Sequence, residues 1–136
     1  MTNRFRLDDE AAVRTNLELL AQQGDLPSGS LLVMLGDAHS RIVIAVAIDD
    51  VPPDPPQDER VSLLGPFLRQ VREHPDVHGA LLVVARAGSA QVGMSDLAWH
   101  DAFDGSSRIA GLTAHGVYLA TPSGVRRVSP RAREAA

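Results

Sequence analysis

Ala80-Leu81-Leu82-Val83-Val84-Ala85 is an unbroken apolar run with helical periodicity on both sides of it, and no other feature limits the fold of this chain so sharply. The longest strongly apolar run of the chain, Ile42 to Ile48, is far shorter than the ~20 apolar residues needed to cross a bilayer. The aliphatic and β-branched content of the run from Ala80 to Ala85 marks a buried strand. A strand flanked by helices implies crossover connections, hence a sheet with helices packed on it.

The remaining signals fill in that frame. Asp9 to Gln23 reads as a first helix, with Val13, Leu17, Leu20 and Ala21 at helical spacing, acids at its start and Gly24 after its end. Ser30–Leu35 and Arg41–Asp49 flank Gly36-Asp37-Ala38-His39-Ser40, the pattern of a hairpin. Nearly every residue of the second run is apolar, so that strand is expected to be buried on both faces. The proline-rich stretch 50–58 reads as a connecting loop inside the domain. A second helix is expected over Asp58 to Glu73, burying Val61, Leu64, Leu68 and Val71, with a kink or a late start at Gly65-Pro66. Ser95 is the expected N-cap of a third helix that buries Ala98, Trp99, Ala102 and Phe103 and breaks near Gly105-Ser106-Ser107. Thr113–Thr121 and Val125–Val128 make a closing hairpin. The fold class is therefore α/β, a mixed sheet with helices packed on it in the order α-β-β-α-β-α-β-β. Residues 1–128 form a single domain, and 129–136 form a polar tail expected to be disordered.

Composition narrows the chemistry. The absence of cysteine excludes disulfides, thiolate metal sites and cysteine nucleophiles. The net charge of −4 argues against a nucleic-acid binder. All 13 basic residues are arginine, as in a protein from a GC-rich genome. No apolar leader opens the chain, so a cytoplasmic location without membrane association is expected.

The element order resembles that of the cytidine-deaminase-like fold. Deaminases place His-x-Glu at the start of the second helix and Pro-Cys-x-x-Cys at the start of the third. Here the matching places read Gln57-Asp58-Glu59-Arg60 and Gly93-Met94-Ser95-Asp96, which hold no imidazole or thiolate for zinc. The layout also resembles the JAB metalloprotease-like domains, with their RadC-like branch. That resemblance implies a motif H-x-H, seven residues, then S-x-x-D after the third strand. This chain has Ala85-Arg86-Ala87, then Ser95, with Ala98 at the aspartate position. Alanine thus replaces each implied zinc ligand. Leu81–Arg86, Ser95–Trp99 and His115–Arg126 are similar to a group of uncharacterised actinobacterial proteins, a likeness that implies no activity.

Several polar groups remain as candidates. The loop after the third strand, with Arg86, Gly88, Ser89 and Ser95, is a candidate binding loop near a helix N-terminus. Asp96, His100 and Asp104 form a polar stripe at i, i+4, i+8, read either as a site or as a solvated face opposite the apolar one. Arg126 and Arg127, with Arg131 and Arg133, form a basic cluster suited to an acidic partner or phosphate, or to a solvated tail. His74 and His78 read as a surface turn, His115 as structural, and Trp99 as core. No G-x-S-x-G elbow, phosphate loop or dinucleotide motif is present. The sequence is expected to specify a noncatalytic binding or scaffold domain, a pseudo-enzyme on a JAB-like fold, using no cofactor or metal and acting through protein contacts. The alternative is a small-molecule-binding module, or an enzyme of another class, that uses the loop after the third strand. A homodimer through an open sheet edge, at Thr113–Thr121 or its hairpin partner, is a further expectation.

Overall fold

The computed structural model describes residues 5–130. Its elements run α1 (Glu10–Gln22), β1 (Ser30–Gly36), β2 (Ile42–Ile48), α2 (Gln57–Arg72), β3 (Gly79–Ala85), α3 (Met94–Ala110), β4 (Thr113–Thr121) and β5 (Gly124–Val128). The strands make one sheet in the order β2-β1-β3-β4-β5. Only β3 and β4 are parallel; every other neighbouring pair is antiparallel. The described residues thus form an α/β unit with a mixed five-stranded sheet and three named helices.

Two cores follow from the alternation of strand side chains. On one face Leu31, Val33, Leu82, Val84, Val117 and Leu119 pack under α2 (Leu64, Leu68) and α3 (Trp99, Phe103). On the other, Met34, Leu81, Val83 and Tyr118 pack under Val13 and Leu17 of α1, with Leu7 sealing the end. Every residue of β3 is buried, as a central strand sandwiched between the two layers must be. Leu20 is only partly buried and Ala21 is exposed, so α1 buries a narrower stripe than its spacing suggested.

The β1–β2 turn is set by Asp37, whose Oδ1 accepts from the backbone N–H of His39 (2.8 Å) and of Arg41 (2.9 Å). Those donors, that of Arg41 foremost, hold the Asp37 carboxyl below its ordinary range. Gly79 opens β3 close to the ring of His115; a Cβ there would lie 2.5 Å from His115 Nε2.

Five sequence expectations are corrected. β2 is an edge strand, and none of its seven residues is fully buried. Apolar runs mark strands, but their composition does not say whether a neighbour lies on each side. Helix α2 runs through Pro66 without a late start, because Pro66 sits on the exposed side, where water can serve the carbonyl it leaves unpaired. Val61 is 44% exposed, so the buried stripe is Arg60, Leu64 and Leu68 instead. Helix α3 continues through Gly105-Ser106-Ser107, whose serines are buried and let it approach Gly65 of α2. Thr113–Thr121 lies inside the sheet, and the edges are β2 and β5. Of the expected tail, Ser129 and Pro130 are half-buried, and residues 131–136, including Arg131 and Arg133, lie outside the described residues.

Candidate functional site

The C-terminal end of β3 and the N-termini of α2 and α3 converge at one end of the sheet. Ligands of open α/β sheets usually sit in such a place, beyond the carboxyl ends of the strands. Two arginines fill it.

Arg86 follows β3 directly. Its Nε and Nη2 donate to the two carboxylate oxygens of Asp96 at 3.0 and 2.9 Å, a bidentate pair. The same guanidinium donates to the carbonyls of Ala87 (2.8 Å), Ser89 (3.1 Å) and Gln91 (2.9 Å). The loop is therefore wrapped around the side chain that precedes it. Gly88 (φ +97°) permits the turn, and a Cβ there would press on Arg86 Nη1 at 3.2 Å. Hydrogen bonding to Asp96 raises the Arg86 pKa above its ordinary value.

Asp96 is 1% exposed. One of its oxygens also accepts from the Gly93 N–H (2.8 Å), so Asp96 caps α3 from the third position while Gly93 occupies the N-cap. This corrects the expected role of Ser95. The carboxylate, charged and paired with Arg86, takes the capping task that a hydroxyl would otherwise perform. It also splits the polar stripe. Asp96 points inward, His100 is partly buried with Nδ1 3.7 Å from Asp101, and Asp104 is half-buried and paired with Arg108 at 2.6 Å. The inward turn of Asp96 was hidden because helical periodicity places it with the polar residues and says nothing about the arginine arriving from β3.

Ser95 instead faces α2. Its Oγ accepts from Arg60 Nη2 (2.7 Å) and donates to the Pro53 carbonyl at 3.4 Å. Arg60 is 4% exposed and also donates to the Pro55 carbonyl (2.6 Å), Asp54 Oδ1 (2.7 Å) and Gln57 Oε1 (3.2 Å). Its guanidinium stacks over Trp99, 5.2 Å from the ring centroid. Arg60 and then Ser95 hold the Asp54 carboxyl below its ordinary range. Arg60 escaped the sequence reading. The available signal was its place four residues before Leu64 and eight before Leu68, on the stripe that α2 buries.

The basic cluster is only partly assembled. Arg127 pairs with Glu10 at 3.1 Å, donates to the His115 carbonyl and lies 5.9 Å from the Tyr118 ring centroid. Arg126 is exposed and lines an open groove of about 1,020 Å³ with Arg14, His100 and Met94. A smaller cleft of about 270 Å³ lies beside Ser95 and Trp99, walled by Ser28, Val51 and Arg86. His74 and His78 lie on an exposed turn, and Trp99 is core.

The positions that would carry zinc ligands in a JAB-like hydrolase are a buried Ala85, an exposed Ala87 and a half-buried Ala98. Among the described residues, no three His, Asp or Glu side chains come together to hold a metal ion. No helix among them is long and apolar enough to cross a membrane. Neither a protein-family model nor a curated protein matches the chain.

Proposed function

We propose that this chain is a noncatalytic binding domain that acts through protein contacts, a degenerate relative of JAB-like or deaminase-like α/β enzymes. The observation that carries this reading is β2, an edge strand of seven apolar residues with Ile44 53% exposed. An apolar edge of this kind is a template for pairing with another chain. The occupied state of the sheet's carboxyl end supports it. Each arginine there is committed to several partners within the chain, so the groups that crowd the strand ends hold structure together.

Affinity capture from the native host, with the unaltered chain and Ile44→Lys as paired baits, tests the reading. A protein held by the first bait and lost from the second is expected. Capture that ignores Ile44→Lys, or none at all, contradicts it.

The small-molecule reading is favoured by one observation, the cleft beside Ser95 and Trp99. A thermal-shift screen with nucleotides, metabolites and divalent metals separates the two. A specific ligand would raise Tm by mass action, and Ser95→Ala would remove the shift.

A further inference from the structure

We infer that two copies of this chain associate through the outer face of α2 and α3, face to face and with their helices antiparallel across a two-fold axis. This face is separate from β2, so the reading of that edge neither supports the contact nor falls with it.

The two helices run in the same direction. Gln57 Nε2 donates to the Ala98 carbonyl (2.9 Å), a Cβ on Gly65 would lie 3.9 Å from Ser106 Oγ, and Arg72 Nε donates to the Gly111 carbonyl (3.4 Å). Contacts in that order put both N-termini at one end of the face and both C-termini at the other. Between the helices runs an open groove of about 280 Å³, lined by Gly65 and Ser106 and by the apolar Val61 and Ile109. Ile109, at 76%, is the most exposed large apolar side chain among the described residues. Such a groove takes the ridge of a further helix, and the apolar groups beside it gain by leaving water.

Charge selects the occupant and its direction. On α2, Asp58 in the first turn and Arg69 in the last lie about three turns apart on one stripe. On α3, Asp101 and Arg108 lie about two turns apart and share a stripe in the same way. All four are exposed, so the face is acidic at its N-terminal end and basic at its C-terminal end. A face of this kind complements its own copy turned end over end. With the two-fold axis crossing the helices, α2 meets α2 and α3 meets α3, each pair reversed. Asp58 then stands beside Arg69 of the partner subunit, and Asp101 beside Arg108 of the partner subunit. Val61 and Ile109 line one groove toward opposite ends, so Val61 meets Ile109 of the partner subunit. An axis along the helices would keep them parallel and set acid on acid. Asp58 and Arg69 form no salt bridge among the described residues, and Arg108 holds only Asp104 of its own helix.

Sedimentation velocity on the full chain tests this. Two packed helices of 16 and 17 residues present a face about 24 Å long and about 20 Å wide, so two copies bury about 1,000 Å² between them. That is the small end of specific contacts, and a dissociation constant on the order of 10 µM is expected. Ile109→Asp sets a carboxylate against the partner's acidic end and should weaken the dimer at least about 10-fold. Gly105, one turn before Ile109, gives a second blocking variant. A Cβ there meets nothing within 4 Å, and leucine favours a helix over glycine. Gly105→Leu should therefore keep the circular dichroism of the monomer while its bulk holds the two faces apart. Arg69→Asp should weaken the dimer about 10-fold, and adding Asp58→Arg should recover much of that loss. A monomer up to about 500 µM overturns the inference. So does a dimer indifferent to both Ile109→Asp and Gly105→Leu, or one lost on Ile44→Lys, which would move the second copy to β2.

Discussion

Asp96 shows how one side chain can be a candidate for chemistry and still serve architecture. It joins the last residue of a strand exit to the first turn of the next helix, accepting from Arg86 twice and from the Gly93 N–H once. Asp96→Ala removes the cap and leaves Arg86 facing a buried gap, so it should cost about 2–4 kcal/mol in urea denaturation. A loss below 0.5 kcal/mol, the size of an ordinary surface substitution, would contradict the role. His115 offers a pH test. Burial lowers its pKa below the ordinary 6.5, and Asp8 opposes the shift only in part. The unfolded chain then binds this proton more readily than the folded one. Stability is full above about pH 6.5, falls as pH drops through the window below it, and levels off beneath the folded value. Thermal melts between about pH 5 and 7.5 should show this slope, and His115→Gln should flatten it. The role of Trp99 as core was legible in the sequence because it lies on the same helix face as Phe103. The burial of Asp96 and Arg60 was not, since their partners come from other elements and spacing along one helix cannot reveal them.

At the scale of elements, periodicity read well where one face meets a core and poorly where a neighbour decides. The hairpin of β1 and β2, the buried β3 and the span of β4 follow directly from apolar runs and turn residues. Apolar composition suggested a doubly buried β2, yet order across the sheet leaves it at the edge. The late start expected at the proline of α2 fails for a related reason. The proline's cost is borne on the exposed side, and the packing of Leu64 and Leu68 carries the helix past it. Pro66→Ala should therefore restore one helix hydrogen bond and raise stability by about 1–2 kcal/mol, less the entropy that the unfolded chain regains. Gly79→Ala should act the other way. A methyl group there meets the His115 ring, so chemical denaturation should show a loss of about 1–3 kcal/mol, and His115→Ala in the same chain should recover part of it.

Across the whole molecule, the sheet is closed at one end and left apolar along one side. The end of the sheet where α/β enzymes work is stapled by Arg60 and Arg86, and the side of the sheet where most proteins guard themselves is left apolar. The sequence made the first visible only as alanines at implied ligand positions, and the second only as an apolar run of unassigned place. Both became readable once the strand order was known. The central claim, that the chain works by protein contact along β2, is met most directly by site-specific photo-crosslinking in the cells that make it. A benzophenone side chain carried at position 44, compared with one at the exposed position 87 in the loop after β3, reads out which surface touches a protein. The account predicts adducts with protein at position 44 and none at position 87. Adducts at 87 with none at 44 would contradict it.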